Sequence, residues 1–250
     1  MKNYKQVVEE RYELDDFSGR GIENNIYARI NNVGNYGFHK QIDIIRYFIK
    51  VIMGQTHKRL DEIQILDCGC GDGLVTRILA ELLGNPDFVY GMEYSGNRLS
   101  HCKVMNPAIH YEYGDLTKKI PFDIQFDAIV TFTVFMHFNL EEEIVAALNN
   151  IYNSLKSDGF FLWYDCNEKS HWDAKTKDID GWGFSADEMD NYALNAGFKL
   201  VKGYGIYSRF PLLNTSTVYL AEHIKNIWIL ELLEKLPFRR NNNIRIYYKG

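Results

Sequence analysis

No apolar run in this 250-residue chain approaches the roughly 20 residues that a membrane span requires. Nor does the chain open on an apolar signal core: Met1-Lys2-Asn3-Tyr4-Lys5 leads into charged sequence, so no secretory leader is expected. Long clusters of Lys and Arg are missing, and the formal net charge is −5, which together argue against a dedicated nucleic-acid binder. Cysteine is scarce. Cys68, Cys70, Cys102 and Cys166 make no disulfide framework, and C-x-C without nearby His or further Cys is a poor metal signature. A reducing cytoplasm and no metal are the expectations. Internal repeats and low-complexity segments are absent as well.

What remains is ordinary for a soluble globular protein, with 46% hydrophobic and 24% charged residues. The 17 Tyr and 4 Trp are generous and suit either aromatic packing or a stacking-rich pocket. One α/β domain with additions accounts for the length, because a single core can serve it. A polar stretch over residues 1–40, with Gly19, Gly21, Gly34 and Gly37 among Asn and Tyr, reads as a loosely helical cap.

Helical spacing starts at His39 and runs to Met53 through Ile42, Ile45, Phe48, Ile49 and Ile52. Strands are expected at Gln64–Asp67, Phe88–Glu93, Ile109–Tyr113, Phe126–Phe132, Phe160–Asp165, from Phe198 to Gly203, and at Asn243–Lys249. Helices fall between them at Val75–Leu83, from an N-cap at Ser95 through Cys102, at Leu140–Leu155, and from Ser185 to Ala196. Ser157-Asp158-Gly159 reads as a turn. Ser185 and Glu188 form a capping box, with Gly197 closing that helix. Such alternation implies a mostly parallel sheet with helices on both faces. Residues 41–203 then make the core. A connection over 204–242, carrying an apolar-rich helix near Thr217–Leu236, is far longer than such connections usually are. It reads as a lid or a homodimer surface, before a last strand in 243–250.

One stretch is more specific: Ile65-Leu66-Asp67-Cys68-Gly69-Cys70-Gly71-Asp72-Gly73, followed by the helical pattern of Leu74-Val75-Thr76-Arg77-Ile78-Leu79. Alternating glycines after a strand allow a sharp turn and let a ligand approach the main chain. A dinucleotide site wants G-x-G-x-x-G, yet Leu74 stands where its third glycine would be, and Asp67 would repel a pyrophosphate. A cofactor carrying a cationic amino group and a sulfonium suits the acid better. Further acids follow at strand ends: Glu93, 20 residues after Gly73, where a carboxylate can accept two ribose hydroxyls, and Asp115.

Asp67, Gly69, Gly71 and Gly73 match the acidic-x-Gly-x-Gly-x-Gly motif of the class I S-adenosylmethionine-dependent methyltransferases, which this chain resembles from about His39 to Gly203. The resemblance implies a Rossmann-like, mostly parallel seven-stranded sheet, S-adenosylmethionine as cofactor and S-adenosylhomocysteine as its product. It implies cofactor roles for Asp67, Gly69, Cys70, Gly71 and Gly73, a ribose role for Glu93, and an adenine role for Asp115 and the Leu116 amide. Met92, Tyr94 and Leu116 would sandwich the adenine, with Thr131 and Phe132 closing the fourth strand. Tyr27 and Arg29, in the cap, can reach the cofactor carboxylate or be a packed ring and a surface charge.

In methyl transfer the cofactor brings the electrophile, so the protein supplies position, desolvation and, for a hydroxyl, a base. His137, just beyond the fourth strand, is a base candidate or an organiser of its loop. Asp165, ending the fifth strand, is a base, a substrate ligand or a cap. His171 is a loop histidine. Trp163, Trp172, Trp182 and Tyr207 make an aromatic wall or belong to the core. Leu162-Trp163-Tyr164-Asp165 and the insert ending Leu233-Glu234-Lys235-Leu236-Pro237 look similar to methyltransferases of bacterial polysaccharide and natural-product pathways. That favours a small polar acceptor, such as a sugar hydroxyl, a nucleotide-linked intermediate or a phosphate-type oxygen. Methylation of an amine or a protein side chain and a non-catalytic partner subunit are the alternatives. Thr131-Phe132-Thr133-Val134 lacks the Asn/Asp-Pro-Pro-aromatic segment frequent among nucleic-acid methyltransferases.

Overall fold

The computed structural model describes residues 32–167, 183–207 and 242–250, together with Gln6 and Ile229. Tyr27, Arg29, His171, Trp172, Trp182 and nearly all of the insert lie outside the described residues. Helix α1 spans Asn32–Thr56. It starts seven residues before the expected His39, because Gly34 and Gly37 fall inside the helix rather than ahead of it. Its Ile45, Phe48, Ile49 and Ile52 are buried, as their spacing demands.

Next comes β1 (Ile65–Cys68), then α2 (Leu74–Leu83), β2 (Val89–Glu93), α3 (Gly96–Met105), β3 (His110–Tyr113) and β4 (Phe126–Phe132). Beyond these lie α4 (Glu141–Ser154), β5 (Leu155–Cys166), α5 (Ala186–Asn195), β6 (Lys199–Tyr207) and β7 (Asn242–Tyr248). Ser95 caps α3 by accepting from the Arg98 amide, and Ser185 and Glu188 cap α5 reciprocally. The Ser157–Gly159 turn is instead an irregularity inside β5: pairing with β4 jumps from Leu155 opposite Phe126 to Phe160 opposite Ala128. β6 runs four residues past Gly203, into the segment expected to be insert.

The strands pair in the order β3-β2-β1-β4-β5-β7-β6, parallel from β3 through β5, with β7 antiparallel to both β5 and β6. The Rossmann-like, mostly parallel seven-stranded reading therefore holds. β4 is buried along its whole length, as an inner strand covered on both faces must be. One apolar layer joins Ile45, Phe48, Leu79, Val130 and Leu162 under α1, α2 and α3. The other joins Ile129, Phe161, Trp163, Ile144, Leu148 and Met189 under α4 and α5. Each fully buried Leu, Ile or Phe stabilises the fold by about 1.5–3 kcal/mol. At the N-terminal end of β4, the Asp127 carboxylate accepts from the Lys58 and Lys156 ammonium groups and the Gln64 amide. Those lysines hold the Asp127 carboxyl below its ordinary range despite its burial. Charge pairing thus staples one end of the sheet and leaves the carboxyl ends of β1–β5 for chemistry. Among the described residues no helix is long and apolar enough to cross a membrane.

Candidate active site

The turn after β1 is shaped by backbone conformation. Gly69, Gly71 and Gly73 have φ of 71°, 59° and 76°, the left-handed region that L side chains avoid. At Gly69 a side chain is excluded twice over, since an added Cβ would stand 2.6 Å from Val134 Cγ2. At Gly71 the nearest atom to such a Cβ is an Arg98 guanidinium nitrogen at 3.4 Å. Space beside the main chain is therefore open at Gly71 and closed at Gly69. The Gly69 and Cys70 amides donate to the Met92 carbonyl at 2.7 and 3.0 Å, which binds the turn to the end of β2. Cys70 contributes main chain only. Its thiol is buried among Cys102 and the core, and its hydrogen bond with Cys102, then burial, push its pKa up.

Registers of β1 with β2 and of β2 with β3 bring Asp67, Glu93 and the start of the Asp115 turn to one end of the sheet. Glu93 is the hub. Its carboxylate accepts the Gly71 amide at 2.7 Å and the Tyr94 and Ser95 amides at 2.9 Å each. Burial raises its pKa, against those amides and the Arg98 charge. Asp67 is 1% exposed. One of its oxygens accepts the Thr76 hydroxyl at 2.8 Å, while the other is buried without a hydrogen-bond partner. Burial, with the charges of Glu93 and Asp72, lifts Asp67 to about 7. Asp115 accepts the Thr117 amide and hydroxyl at 3.0 and 2.7 Å, which orients its carboxylate at the end of β3. Met92 and Leu116 are buried in one cluster with Tyr94 against its edge, and the Tyr94 and Tyr113 rings lie 5.6 Å apart.

Across the sheet, Thr131 is fully buried and its hydroxyl oxygen has no partner. Phe132 stacks on Tyr164 at 4.9 Å. Thr133 takes φ 57°, rare for a β-branched residue, with its amide fixed to the Tyr164 carbonyl at 2.8 Å. A 3-10 turn, Phe135–His137, follows. Its Phe135 is buried, Phe138 beyond it likewise, and His137 is half-buried. Asp165, at the end of β5, is wholly buried and lifted to about 7 by that burial. Trp163 belongs to the core rather than to a wall. Thr76, Val134 and Thr133 went unnoticed in the sequence. Only the fixed glycine loop gives Thr76 and Val134 their partners, so no local signal announced them. All four cysteines are free, and no group of three metal-ligating side chains stands together among the described residues.

Residues 65–159 match the family described as the methyltransferase domain. Over those residues the chain is similar to a methyltransferase domain. Its matching segment runs from the first residue of β1 to the irregular start of β5, and so contains the glycine turn, Glu93, Asp115 and His137. Among solved structures, a TehB-like SAM-dependent methyltransferase from Corynebacterium glutamicum is 19% identical, with 99% of this chain and 98% of that one covered at a TM-score of 0.54. Magnesium protoporphyrin IX methyltransferase from Synechocystis with bound SAH is 14% identical, covering 98% and 100% at a TM-score of 0.65. A sarcosine dimethylglycine methyltransferase from Galdieria sulphuraria, itself assigned only provisionally, is 14% identical, covering 83% and 85% at 0.57. At these identities the methyltransferase domain shares their fold. No curated protein matches the chain.

Three left-handed glycines, the buried Glu93 carboxylate at the next strand end and an Asp67 oxygen without a hydrogen-bond partner stand together at the carboxyl ends of β1 and β2. These residues fit a cationic amino-acid–nucleoside cofactor: space is open beside the Gly71 main chain, and two buried acids would offset its positive charge.

Proposed function

We propose that this methyltransferase moves the methyl group of S-adenosylmethionine to an oxygen of a small polar acceptor and releases S-adenosylhomocysteine. The acceptor class is a sugar, nucleotide-linked or phosphate-type intermediate of bacterial polysaccharide (capsule) or natural-product biosynthesis, handled in the cytoplasm. The observation that supports the reading is the Gly71–Glu93 contact, which sets the open main chain beside a buried carboxylate.

When bound, the cofactor supplies an electrophilic methyl carbon, so the chain needs no nucleophile of its own. Glu93 and the glycine turn would hold the ribose and amino-acid parts, with Asp67 supplying negative charge. Met92, Tyr94 and Leu116 would hold the adenine, and Asp115 and the Leu116 amide would read its edge. Thr131 and Phe132, which end β4, would line the cofactor site. His137 would take the acceptor hydroxyl proton through its imidazole. The acidic net charge suits a small acceptor rather than a nucleic acid.

Calorimetry with S-adenosylhomocysteine, followed by methyl transfer from labelled S-adenosylmethionine to a panel of nucleotide-sugars and phosphorylated metabolites, tests this. Micromolar binding with transfer to an oxygen is expected. Absence of binding at millimolar concentration refutes the cofactor reading, and transfer only to amines refutes the acceptor reading.

A further inference from the structure

The turn that presents His137 cannot hold itself. A helical turn leaves its first N–H groups without internal partners, and a Ser, Thr, Asp or Asn side chain at the N-cap usually takes them. Here the N-cap is Val134, which makes no side-chain hydrogen bond, and the residue before it is Thr133 in a left-handed conformation. The missing acceptor comes from 29 residues further along. Asp165 Oδ2 accepts the Met136 amide at 3.1 Å, and Oδ1 accepts the Cys166 amide at 2.9 Å. The Phe135 amide adds to the stabilisation of the carboxylate. Asp165 is fully buried, so an acceptor hydroxyl has no route to either oxygen. A base must face its substrate; this carboxylate faces main chain.

We propose that Asp165 is a positioning residue, whose carboxylate caps the Phe135–His137 turn from β5 and so fixes where the His137 imidazole stands against the acceptor. The inference rests on reading His137 as the acceptor-side base. Phe135, fully buried and edge-on to Phe138 at 5.3 Å, anchors the apolar side of the turn. Asp165 anchors the polar side. Cys166 Sγ, 3.9 Å from Met136 Sδ, adds a side-chain contact between the same two segments. His137 therefore projects from a turn held at both sides, although its own backbone offers one local hydrogen bond, from its amide to the Val134 carbonyl at 3.1 Å. The other ionisable groups on the elements around the carboxylate are His137 on the turn, Asp127 on β4, Lys156, Asp158, Tyr164 and Cys166 on β5, and Arg245, Tyr247 and Tyr248 on β7, with Arg245 paired to Asp190 of α5.

The test is nuclear magnetic resonance on the isotope-labelled full chain, comparing the native protein with Asp165→Asn, which keeps the shape and removes the charge. The Phe135 and Met136 amides should exchange at least 10-fold faster in the variant, and the His137 imidazole signals should shift or split. The Gly71 and Ser95 amides should stay protected, and S-adenosylhomocysteine should bind within about 3-fold of native, because the cofactor half is untouched. Unchanged Met136 exchange together with unchanged His137 signals would overturn the proposal. Should the variant not fold, the native chain gives the answer: the Met136 and Cys166 amide shifts should follow the Asp165 carboxyl carbon through one shared titration midpoint. Separate midpoints would overturn it equally. Loss of cofactor binding in the native protein would instead sink the functional reading and leave the cap standing.

Discussion

The two halves of the site are built by different means. On the β1–β3 side, the glycine turn, Glu93 and Asp115 lie within about fifty positions of sequence, and each carboxylate takes amides from its own strand end or the one beside it. On the β4–β5 side, the turn carrying His137 depends on Asp165, 29 residues away. The proposed cofactor half is tied by a contact across 22 positions from β1 to β2, and the proposed acceptor half by one across 29 positions from its turn to β5.

The largest effect that can break this comparison is pH, because each half holds one carboxyl lifted to about 7, Asp67 and Asp165. An acid with a raised folded pKa binds its proton more tightly in the native state. Its contribution is complete below the unfolded pKa near 4, is lost as pH rises from about 4 to 7, and is constant above that. Each carboxyl accounts for a loss on the order of 4 kcal/mol by that relation. Asp127, whose pKa is lowered, works in the opposite direction as pH falls. Urea unfolding across pH 4 to 8 should show the decline, and Asp67→Asn and Asp165→Asn should each remove about half of it. If one variant removes it all, the two halves are not independent.

Next in size is Gly69→Ala. The left-handed backbone costs about 1–2 kcal/mol for alanine, and overpacking against Val134 adds about 1–3 kcal/mol. Gly71→Ala meets only the first cost. Chemical denaturation should place Gly69→Ala about 2–5 kcal/mol below native and Gly71→Ala about 1–2 kcal/mol below; equal losses would contradict the Val134 contact.

His137→Gln should lower methyl transfer about 100-fold or more while S-adenosylhomocysteine affinity by calorimetry changes less than about 3-fold. A parallel loss of both would show that the histidine serves the cofactor half. The smallest effect is expected at Thr133→Gly. Glycine adopts φ 57° without strain, but frees the unfolded chain, so stability should move by less than about 1 kcal/mol in either direction. A loss above 2 kcal/mol would mean that the Thr133 hydroxyl, which donates to the Phe132 carbonyl, matters more than its backbone.

Legibility in the sequence followed the same division. Asp67-x-Gly-x-Gly-x-Gly could be read because its spacing is its geometry: three left-handed positions at alternate residues leave few choices but glycine. β4 announced itself through Ala128, Ile129 and Val130, all buried. By contrast α1 began earlier than its apolar periodicity, since glycines are poor helix formers yet the tertiary packing of Tyr36, Ile45 and Phe48 overrides them. Asp165 was visible as an acid at a strand end, but nothing local distinguished a base from a cap. Only the position of the Met136 amide does.

The amino-acid order by itself thus determined the alternation of strands and helices, the left-handed glycine turn and the acids that close the first three strands. These depend on neighbours a few residues apart. Tertiary structure alone decided that β7 enters antiparallel between β5 and β6, that Val134 covers Gly69 and leaves Gly71 open, and that Asp165 faces main chain rather than substrate. Each of those is a contact between segments distant along the chain. Such contacts are set by which faces bury together, and no spacing within either segment encodes them.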